Sequence, residues 1–241
     1  MSTEAISAAI AQVTARIESA CATAGRDPQD VALVVATKTV TTERTVEAVR
    51  AGAFLLGESR VQDVAAKAPT LAALAERPRV HMIGRLQSNK INALLRAGDV
   101  VTCVETVDSL SLAQALGSRA AAAGRTLDVL VQVNVSGEET KAGATPDDAV
   151  ALATAVAVVP GLRLRGLMTI GANSRDAALV RAGYARLREL RDAVLTSGAP
   201  GTEDATELSM GMSADLELAI AEGATIVRVG TAILGARPVA G

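Results

Sequence analysis

Residues 31–57 read VALVVATKTVTTERTVEAVRAGAFLLG and contain one complete structural unit of the chain. The apolar run Val31–Thr37 predicts a buried strand, and the apolar run Ala53–Gly57 predicts a second one. A segment with helical spacing lies between them at residues 43–51, and Gly52 ends it. Two buried strands joined by a helix are typical of parallel strands with a crossover connection.

The same alternation continues along the rest of the chain. Six further apolar runs predict strands at Arg79–Gly84, Val100–Val104, Leu127–Asn134, Leu162–Met168, Ala205–Ser209 and Ile226–Gly230. Helical patterns lie near residues 60–68, 88–97, 109–123, 147–158, 175–197 and 214–222, several of them ended by the glycines at 98, 124, 198 and 223. The chain therefore contains eight predicted strands that alternate with helices.

Eight βα units in 241 residues predict an α/β fold of the closed (β/α)8 TIM-barrel type. A doubly wound open sheet would give a similar pattern along the chain and is the alternative. No linker or change in composition divides the sequence, so residues 1–241 are expected to form a single domain. Ile6, Ile10, Val13 and Ile17 recur at helical spacing, which predicts an extra amphipathic N-terminal helix rather than a signal peptide.

The composition excludes several classes of partner. Lys and Arg number 24 against 26 Asp and Glu, and this net charge of −2 does not indicate nucleic acid or an anionic membrane. One Phe, one Tyr and no Trp leave no aromatic platform for single-stranded nucleic acid. The longest uncharged stretch, residues 149–162, is too short to span a membrane. Cys21 and Cys103 form neither a disulfide framework nor a metal cluster, so we expect no metal and a cytoplasmic location.

Lys38 follows the most continuous apolar strand and is expected at the barrel mouth, where the strands end. An apolar enclosure would remove hydration from this lysine, which favours the neutral, nucleophilic amine. Such an amine forms an imine with a carbonyl compound. A lysine that merely extends into water from a strand end is the alternative.

Two glycine-containing loops follow the last two strands, at Ser209–Ser213 and Arg228–Thr231. Glycine backbone, hydroxyl groups and a helix N-terminus attract an anion, and in barrels the loops after strands seven and eight form a recurrent phosphate site. Ordinary turns and a helix cap at Ser213 are the alternative. Together with Lys38, the loops indicate a phosphorylated carbonyl compound, either pyridoxal 5′-phosphate or the sugar phosphate of an imine-forming aldolase.

Eight stretches of this chain resemble the pyridoxal phosphate homeostasis proteins, single-domain relatives of the barrel domain of bacterial alanine racemases. The resemblance covers almost the whole chain. The stretches are Val35–Thr39, Gly57–Gln62, His81–Lys90, Gln132–Val135, Lys141–Gly143, Arg165–Met168, Leu208–Ser213 and Val227–Arg237.

The resemblance implies that Lys38 carries pyridoxal 5′-phosphate as an internal aldimine. It further implies that the phosphate is held by Ser209, Gly211, Gly230 and Thr231, that Arg228 lies beside the pyridine nitrogen and that Met168 packs against the ring. A guanidinium donates hydrogen bonds and stays protonated, so it would leave the ring nitrogen unprotonated and the ring a weaker electron sink. For Met168, plain core packing is the alternative.

Four further residues are not assigned to the cofactor site. His81 is expected to be a hydrogen-bonded strand residue rather than an acid or base. Lys141 is expected to be a solvated loop charge, although the resemblance allows a secondary lysine that accepts or passes on the cofactor. Ser59 stands where the family usually has Asn and is left out of the site, and Val80 stands where Trp is common.

The resemblance favours a carrier over an enzyme. A two-base racemase needs a second acid or base opposite the lysine, and the chain ends at Gly241 without room for the racemase's second domain. Tyr184 is expected on an outer helix face among arginines. We therefore expect a non-enzymatic monomer that holds pyridoxal 5′-phosphate and supplies it to apo-enzymes. The rivals are a pyridoxal-dependent racemase or lyase, a sugar-phosphate aldolase and a barrel that binds only inorganic phosphate.

Overall fold

The computed structural model describes residues 2–38, 40–138 and 141–235. Thr39 and Arg237, which belong to two of the motifs above, lie outside these ranges. The strands are β1 Ala32–Ala36, β2 Leu55–Glu58, β3 Arg79–Met82, β4 Val101–Val107, β5 Leu127–Gln132, β6 Leu162–Met168, β7 Glu207–Ser209 and β8 Ile226–Val229. The helices are α1 Thr3–Ala24, α2 Thr42–Arg50, α3 Val61–Ala72, α4 Ile91–Leu95, α5 Leu110–Ala122, α6 Pro146–Ala157, α7 Ala177–Thr196, α8 Leu216–Ala221 and α9 Thr231–Leu234.

The strands close into a parallel barrel in the order of the chain, β1 to β8, with β8 pairing back to β1. The predicted TIM-type barrel is confirmed, and the open sheet is wrong. Closure is visible in the register between the first and last strands, where Val34 is level with Arg228 and Val35 with Val229. Because all strands are parallel, their carboxyl ends and the loops that follow share one mouth.

The predicted N-terminal helix is α1, and its apolar face is buried through Ile6, Val13 and Ile17. This helix packs against α8, α9 and α2. Arg16 fastens it to the loop after β7 by a bond to the Ser213 carbonyl (3.0 Å) and an ion pair with Glu217 (2.8 Å). The helix after β8 has only four residues, so α1 supplies apolar surface where that short helix cannot.

The glycines that were expected to end helices have the required backbone conformation. Gly52, Gly98, Gly124, Gly198 and Gly223 all have positive φ angles, between 64° and 104°. This left-handed conformation suits glycine because it has no Cβ to clash with the following carbonyl group. In the described ranges, no helix combines the length and the apolar composition that crossing a membrane requires. The two cysteines, Cys21 and Cys103, are buried and free.

Two sets of side chains fill the barrel. One set is an apolar cluster that contains Val34, Leu55, Cys103, Leu130, Met168 and Ile226. The other set is four buried polar residues, His81, Glu105, Ser209 and Arg228. The period of two along each strand places both sets inside, while neighbouring residues such as Val35, Val104 and Val227 pack outwards against the helices.

Candidate functional site

Glu105 is the centre of the polar set inside the barrel mouth. Its Oε1 atom lies 2.7 Å from Nδ1 of His81, and its Oε2 accepts a hydrogen bond of 2.6 Å from the Ser209 hydroxyl. Burial alone would raise the pKa of Glu105, but the hydrogen bonds of His81 and Ser209 and the charge of Arg228 outweigh it, and the pKa is lowered. Glu105 is therefore a buried carboxylate, and His81 donates to it through Nδ1.

Arg228 is buried beside this carboxylate. One guanidinium nitrogen donates to the Ser209 hydroxyl and lies 3.8 Å from Oε2 of Glu105, while the other terminal nitrogen donates to the Thr169 carbonyl at 2.7 Å. Burial lowers the pKa of Arg228 and Glu105 opposes this effect, so the guanidinium remains a cation. Its five N–H groups exceed these contacts, and donors are left for a ligand.

Lys38 stands in the turn directly after β1, and its side chain is exposed. It has no hydrogen-bond or ion-pair partner within the part of the chain that the structure describes. The expected apolar enclosure is wrong for this structure, because β1 ends at Ala36 and Lys38 lies beyond the packed wall. Its place beyond the carboxyl end of β1 is at the mouth, and its role in binding a ligand stays a prediction.

The two glycine loops meet at the mouth. The Arg228 backbone N–H donates to the Gly211 carbonyl at 3.0 Å, which joins the loop after β7 to β8. A Cβ atom at Gly230 would lie 3.0 Å from the Ala36 carbonyl oxygen, so Gly230 abuts the end of β1 just before Lys38. Lys38 and the Gly230–Thr231 pair are thereby neighbours, although 192 residues separate Lys38 from Gly230 in the sequence.

Several backbone donors at these loops point to an anion site. Among the described residues, the N–H groups of Gly230, Thr231 and Ala232 have no hydrogen-bond acceptor. The Gly211 N–H faces the Tyr184 hydroxyl, and its hydrogen bond acts to lower the pKa of that group against the larger effect of burial. A phosphate would satisfy the unpaired donors, so the residues that are present fit a phosphorylated ligand.

The expected cap at Ser213 is wrong. The helix α8 begins at Leu216, and the residue in the cap position is Asp215, whose Oδ1 accepts from the Met212 N–H at 2.6 Å. Both α8 and α9 are short, with six and four residues, so their dipoles add little to anion binding. Individual N–H groups and hydroxyls are the main attraction for a phosphate here.

Tyr184 lies in the interior of the protein rather than on an outer helix face, so that expectation is wrong. Its ring extends from α7, is fully buried and lies against Gly171. Its hydroxyl donates to Oδ2 of Asp215 at 2.8 Å. Burial and the Asp215 charge both raise the pKa of Tyr184. Since Asp215 also binds the Met212 N–H, Tyr184 helps to hold the loop after β7.

Lys141 is not the solvated loop charge that the sequence suggested. Its side chain is only 19% exposed, and Nζ donates to the Gly171 carbonyl and to Glu138, both at 2.6 Å. It lines a cavity of about 560 Å³ together with Met212 and Asp215. The hydrogen bond from Lys141 lowers the pKa of Glu138. Lys141 therefore joins the loop after β5 to the loop after β6.

The remaining predicted residues have other surroundings. Ser209 points into the barrel, where its single hydroxyl proton is donated to Glu105, and Met168, level with Ser209 in the sheet, packs in the apolar cluster inside the barrel. The predicted contacts of Ser209 with phosphate and of Met168 with a ring stay predictions. Ser59 lies at the rim, where Gly84 leaves no room for a Cβ against its backbone.

No role was assigned to Glu58 or Glu105 from the sequence, and Lys67 was missed. Glu58 and Lys67 form a buried ion pair of 2.6 Å. Position 67 lies on the apolar stripe of α3 with Val64 and Leu71, and a lysine on such a stripe is the signal that would have found it. Glu105, charged in an otherwise apolar strand, gives a similar signal. In the described ranges, no group of three or more His, Cys, Asp and Glu residues is arranged to hold a metal ion.

The barrel and its mouth define the class of protein. Residues 8–238 match the family described as alanine racemase, N-terminal domain. The pyridoxal phosphate homeostasis protein of Pseudomonas aeruginosa is 45% identical over 228 residues, which cover 95% of this chain and 94% of that protein. The chain belongs to the pyridoxal phosphate homeostasis protein family.

Two solved structures share this fold at substantial sequence identity. A crystal structure of an unknown protein from Bifidobacterium adolescentis shares 45% identity, with a TM-score of 0.89 and coverage of 96% of this chain and 95% of that one. PipY of Synechococcus elongatus PCC7942, in its structure with PLP bound, shares 33% identity with a TM-score of 0.81, covering 95% of this chain and 100% of PipY.

Proposed function

We propose that this protein binds pyridoxal 5′-phosphate through an imine to Lys38 and serves in its homeostasis by releasing it to apo-enzymes. The observation that carries the proposal is that an exposed Lys38 lies at the same barrel mouth as a buried Arg228 guanidinium, which Glu105 holds in place. The membership of the family and the PLP-bound structure of PipY support the ligand.

The covalent step needs only Lys38 and the aldehyde. The neutral amine nitrogen adds to the aldehyde carbon, and loss of one water gives the imine. The unpaired N–H groups of Gly230 and Thr231 would hold the phosphate, together with Ser209 and Gly211 of the loop after β7. Both contacts are reversible, because water or another amine displaces Lys38 and the phosphate contacts are non-covalent. Such a site suits holding and release.

Arg228 argues for storage rather than turnover. A guanidinium donates a hydrogen bond to the ring nitrogen without giving up a proton, so the ring would stay a weak electron sink. Glu105 lies 3.8 Å from this guanidinium and stabilises its positive charge, which keeps it a hydrogen-bond donor. Among the described groups, Tyr184 is committed to Asp215 and His81 Nδ1 to Glu105, so neither hydrogen-bonded atom is free as a second base. The proposal that the protein is not an enzyme rests on these two hydrogen bonds.

A spectroscopic titration with pyridoxal 5′-phosphate, followed by borohydride reduction and peptide mapping, tests the proposal. The wild-type protein should become yellow and carry the reduced adduct on Lys38. The Lys38→Ala variant should form no adduct but retain weak binding through the phosphate loops. A colourless wild-type protein without any adduct would refute the proposal.

Two further assays separate the rival functions. Solvent-deuterium exchange at the α-carbon, measured across an amino-acid panel, detects a racemase or lyase. Turnover of any of these amino acids by the protein with bound pyridoxal phosphate would replace the carrier function with an enzymatic one. Borohydride trapping with a sugar phosphate, in the absence of pyridoxal phosphate, detects an aldolase. A cytoplasmic location, a monomeric state and a single domain stay predictions, which fractionation, light scattering and limited proteolysis test.

A further inference from the structure

A buried ion pair lies on the outer side of the barrel wall directly behind Lys38. Lys67 of α3 donates from Nζ to Oε1 of Glu58 at 2.6 Å and to the backbone carbonyl of Thr37 at 2.8 Å. The side chains of Lys67 and Glu58 are only 5% and 2% exposed. This cluster is separate from the Glu105 network, which lies inside the barrel.

Packing alone does not account for this pair. Lys67 occupies the apolar stripe of α3, where an aliphatic residue would fill the space without removing charges from water. Oε2 of Glu58 is buried and has no hydrogen-bond partner within the described ranges. Burial accordingly raises the pKa of Glu58, against the opposing hydrogen bonds of Lys67 and Thr37. Because removing both charges from water costs free energy, the ion pair is not expected to stabilise the fold by much. Its hydrogen bond to Thr37 indicates another role.

Every polar group of Thr37 is fixed. Its N–H donates to the Gly57 carbonyl at 2.9 Å, its hydroxyl donates to Oε1 of Glu58 at 2.5 Å, and its carbonyl accepts from Lys67 at 2.8 Å and from the Val40 N–H at 3.2 Å. The carbonyl of Thr37 belongs to the peptide group that begins Lys38. The orientation of that peptide group therefore depends on Lys67 together with the longer bond from Val40, and Lys67 is the only side chain of the described residues that holds it.

Lys38 itself has no side-chain partner among the described residues. A lysine side chain has four rotatable bonds and loses up to about 2 kcal/mol of rotamer freedom when it is ordered. With no contact along the side chain, only the backbone decides where the amine begins. An unrestrained turn at Lys38 would lower the share of time for which Nζ lies near an aldehyde in the mouth.

We propose that Lys67 is a positioning residue that holds the Lys38 amine over the barrel mouth through the Thr37 carbonyl. Glu58 fixes the direction of Lys67 towards that carbonyl through their 2.6 Å ion pair. This inference rests on the proposed function, since it concerns the same lysine. It predicts that Lys67 acts on imine formation and has little effect on recognition of the ring and the phosphate.

The test compares two probes on the full-length protein. Pyridoxal 5′-phosphate forms the imine, whereas pyridoxine 5′-phosphate has an alcohol in place of the aldehyde and reports only non-covalent binding. The K67M/E58Q variant removes both buried charges and nearly conserves volume. Its affinity for pyridoxal 5′-phosphate should fall roughly fivefold to tenfold, while its affinity for pyridoxine 5′-phosphate changes less than about twofold. Borohydride trapping at Lys38 should fall in parallel.

The matched control is R188M/E222Q, which breaks another ion pair of a buried carboxylate. Glu222 caps the end of α8 opposite the mouth, so this variant should bind both probes as the wild type does. If K67M/E58Q does not fold, K67M/E58L replaces the pair with apolar groups, a change that is often neutral or stabilising.

Equal losses for both probes, or no loss for either, would overturn the positioning role. Equal effects of K67M/E58Q and R188M/E222Q on the two affinities would overturn it as well. A wild-type protein that binds pyridoxine 5′-phosphate but gives no trapped adduct would refute the proposed imine itself. The two failures are therefore distinguishable.

Discussion

The Arg228 guanidinium lies 3.8 Å from Oε2 of Glu105, and the Ser209 hydroxyl bridges the two inside the barrel. The three residues come from β8, β4 and β7, so the barrel has to close before they meet. A buried guanidinium requires a partner for its charge, and Glu105 is that partner. Any ligand that contacts Arg228 therefore meets a cation whose orientation is already fixed.

The first prediction concerns the strength of this network. Glu105→Gln removes the charge that compensates Arg228 while keeping the size of the side chain, and we expect the free energy of unfolding to fall by about 3–5 kcal/mol. Urea denaturation measures the change. Glu189→Gln is the control, because Glu189 forms an exposed pair with Arg186 and should change stability by less than about 1 kcal/mol. Equal effects of the two variants would contradict a central role for Glu105.

The second prediction gives the pH dependence. The pKa of Glu105 is lowered in the folded protein, so its stabilising effect is complete above the unfolded pKa of about 4.3 and is lost as the pH falls through the folded pKa. The difference in unfolding free energy between the wild type and Glu105→Gln should be constant above about pH 5 and shrink below about pH 4. Urea denaturation at a series of pH values measures it. A difference that grows on acidification would show that the sign is wrong.

The third prediction concerns the loop after β7. Gly211 has a φ of 91°, and a Cβ at this position would lie 2.5 Å from Cβ of Ala219. Gly211→Ala combines backbone strain with overlap, so we expect a loss of about 2–4 kcal/mol in unfolding free energy and weaker binding of pyridoxine 5′-phosphate. Chemical denaturation and a binding titration measure the two effects.

Gly198 provides the control for this substitution. It has a φ of 64°, and an added Cβ meets nothing within 4 Å, so Gly198→Ala introduces strain without overlap. Its cost should be about 1–2 kcal/mol, and its ligand affinity should be unchanged. If the two alanine variants have equal stability and affinity, the tight packing of Gly211 does not matter.

The fourth prediction concerns transfer to apo-enzymes. Lys141 donates to Gly171 and Glu138, in the loops after β6 and β5, rather than to the polar residues inside the barrel. Lys141→Ala should therefore slow the recovery of activity in an apo-enzyme without changing occupancy by pyridoxal 5′-phosphate at Lys38. Coupled reactivation assays and absorbance measure the two quantities. Lys90→Ala is the control for loss of a lysine charge, and a matching loss of occupancy in Lys141→Ala would contradict the assignment.

Much of the fold was predictable because its signals are local. Runs such as Val31–Thr37 predicted the strands to within a few residues, and the glycines marked where helices end. The strand β4 was the least accurate, since it runs Val101–Val107 and the sequence predicted Val100–Val104, which stops before Glu105. The helix α9 was missed, because four residues are too few to show a helical period.

The sequence by itself determined the βα alternation, the eight strands and the position of Lys38 at a strand end, because hydrophobic period and turn residues act over a few neighbours. It also supplied the motifs that carry the family resemblance. The tertiary structure decided which charges meet. Glu105 with Arg228, Lys67 with Thr37 and Tyr184 with Asp215 are distant in sequence, and only closure of the barrel and docking of the helices bring their atoms within hydrogen-bonding or ion-pair distance. Burial then gives these contacts their strength, because charges removed from water must be satisfied inside the protein.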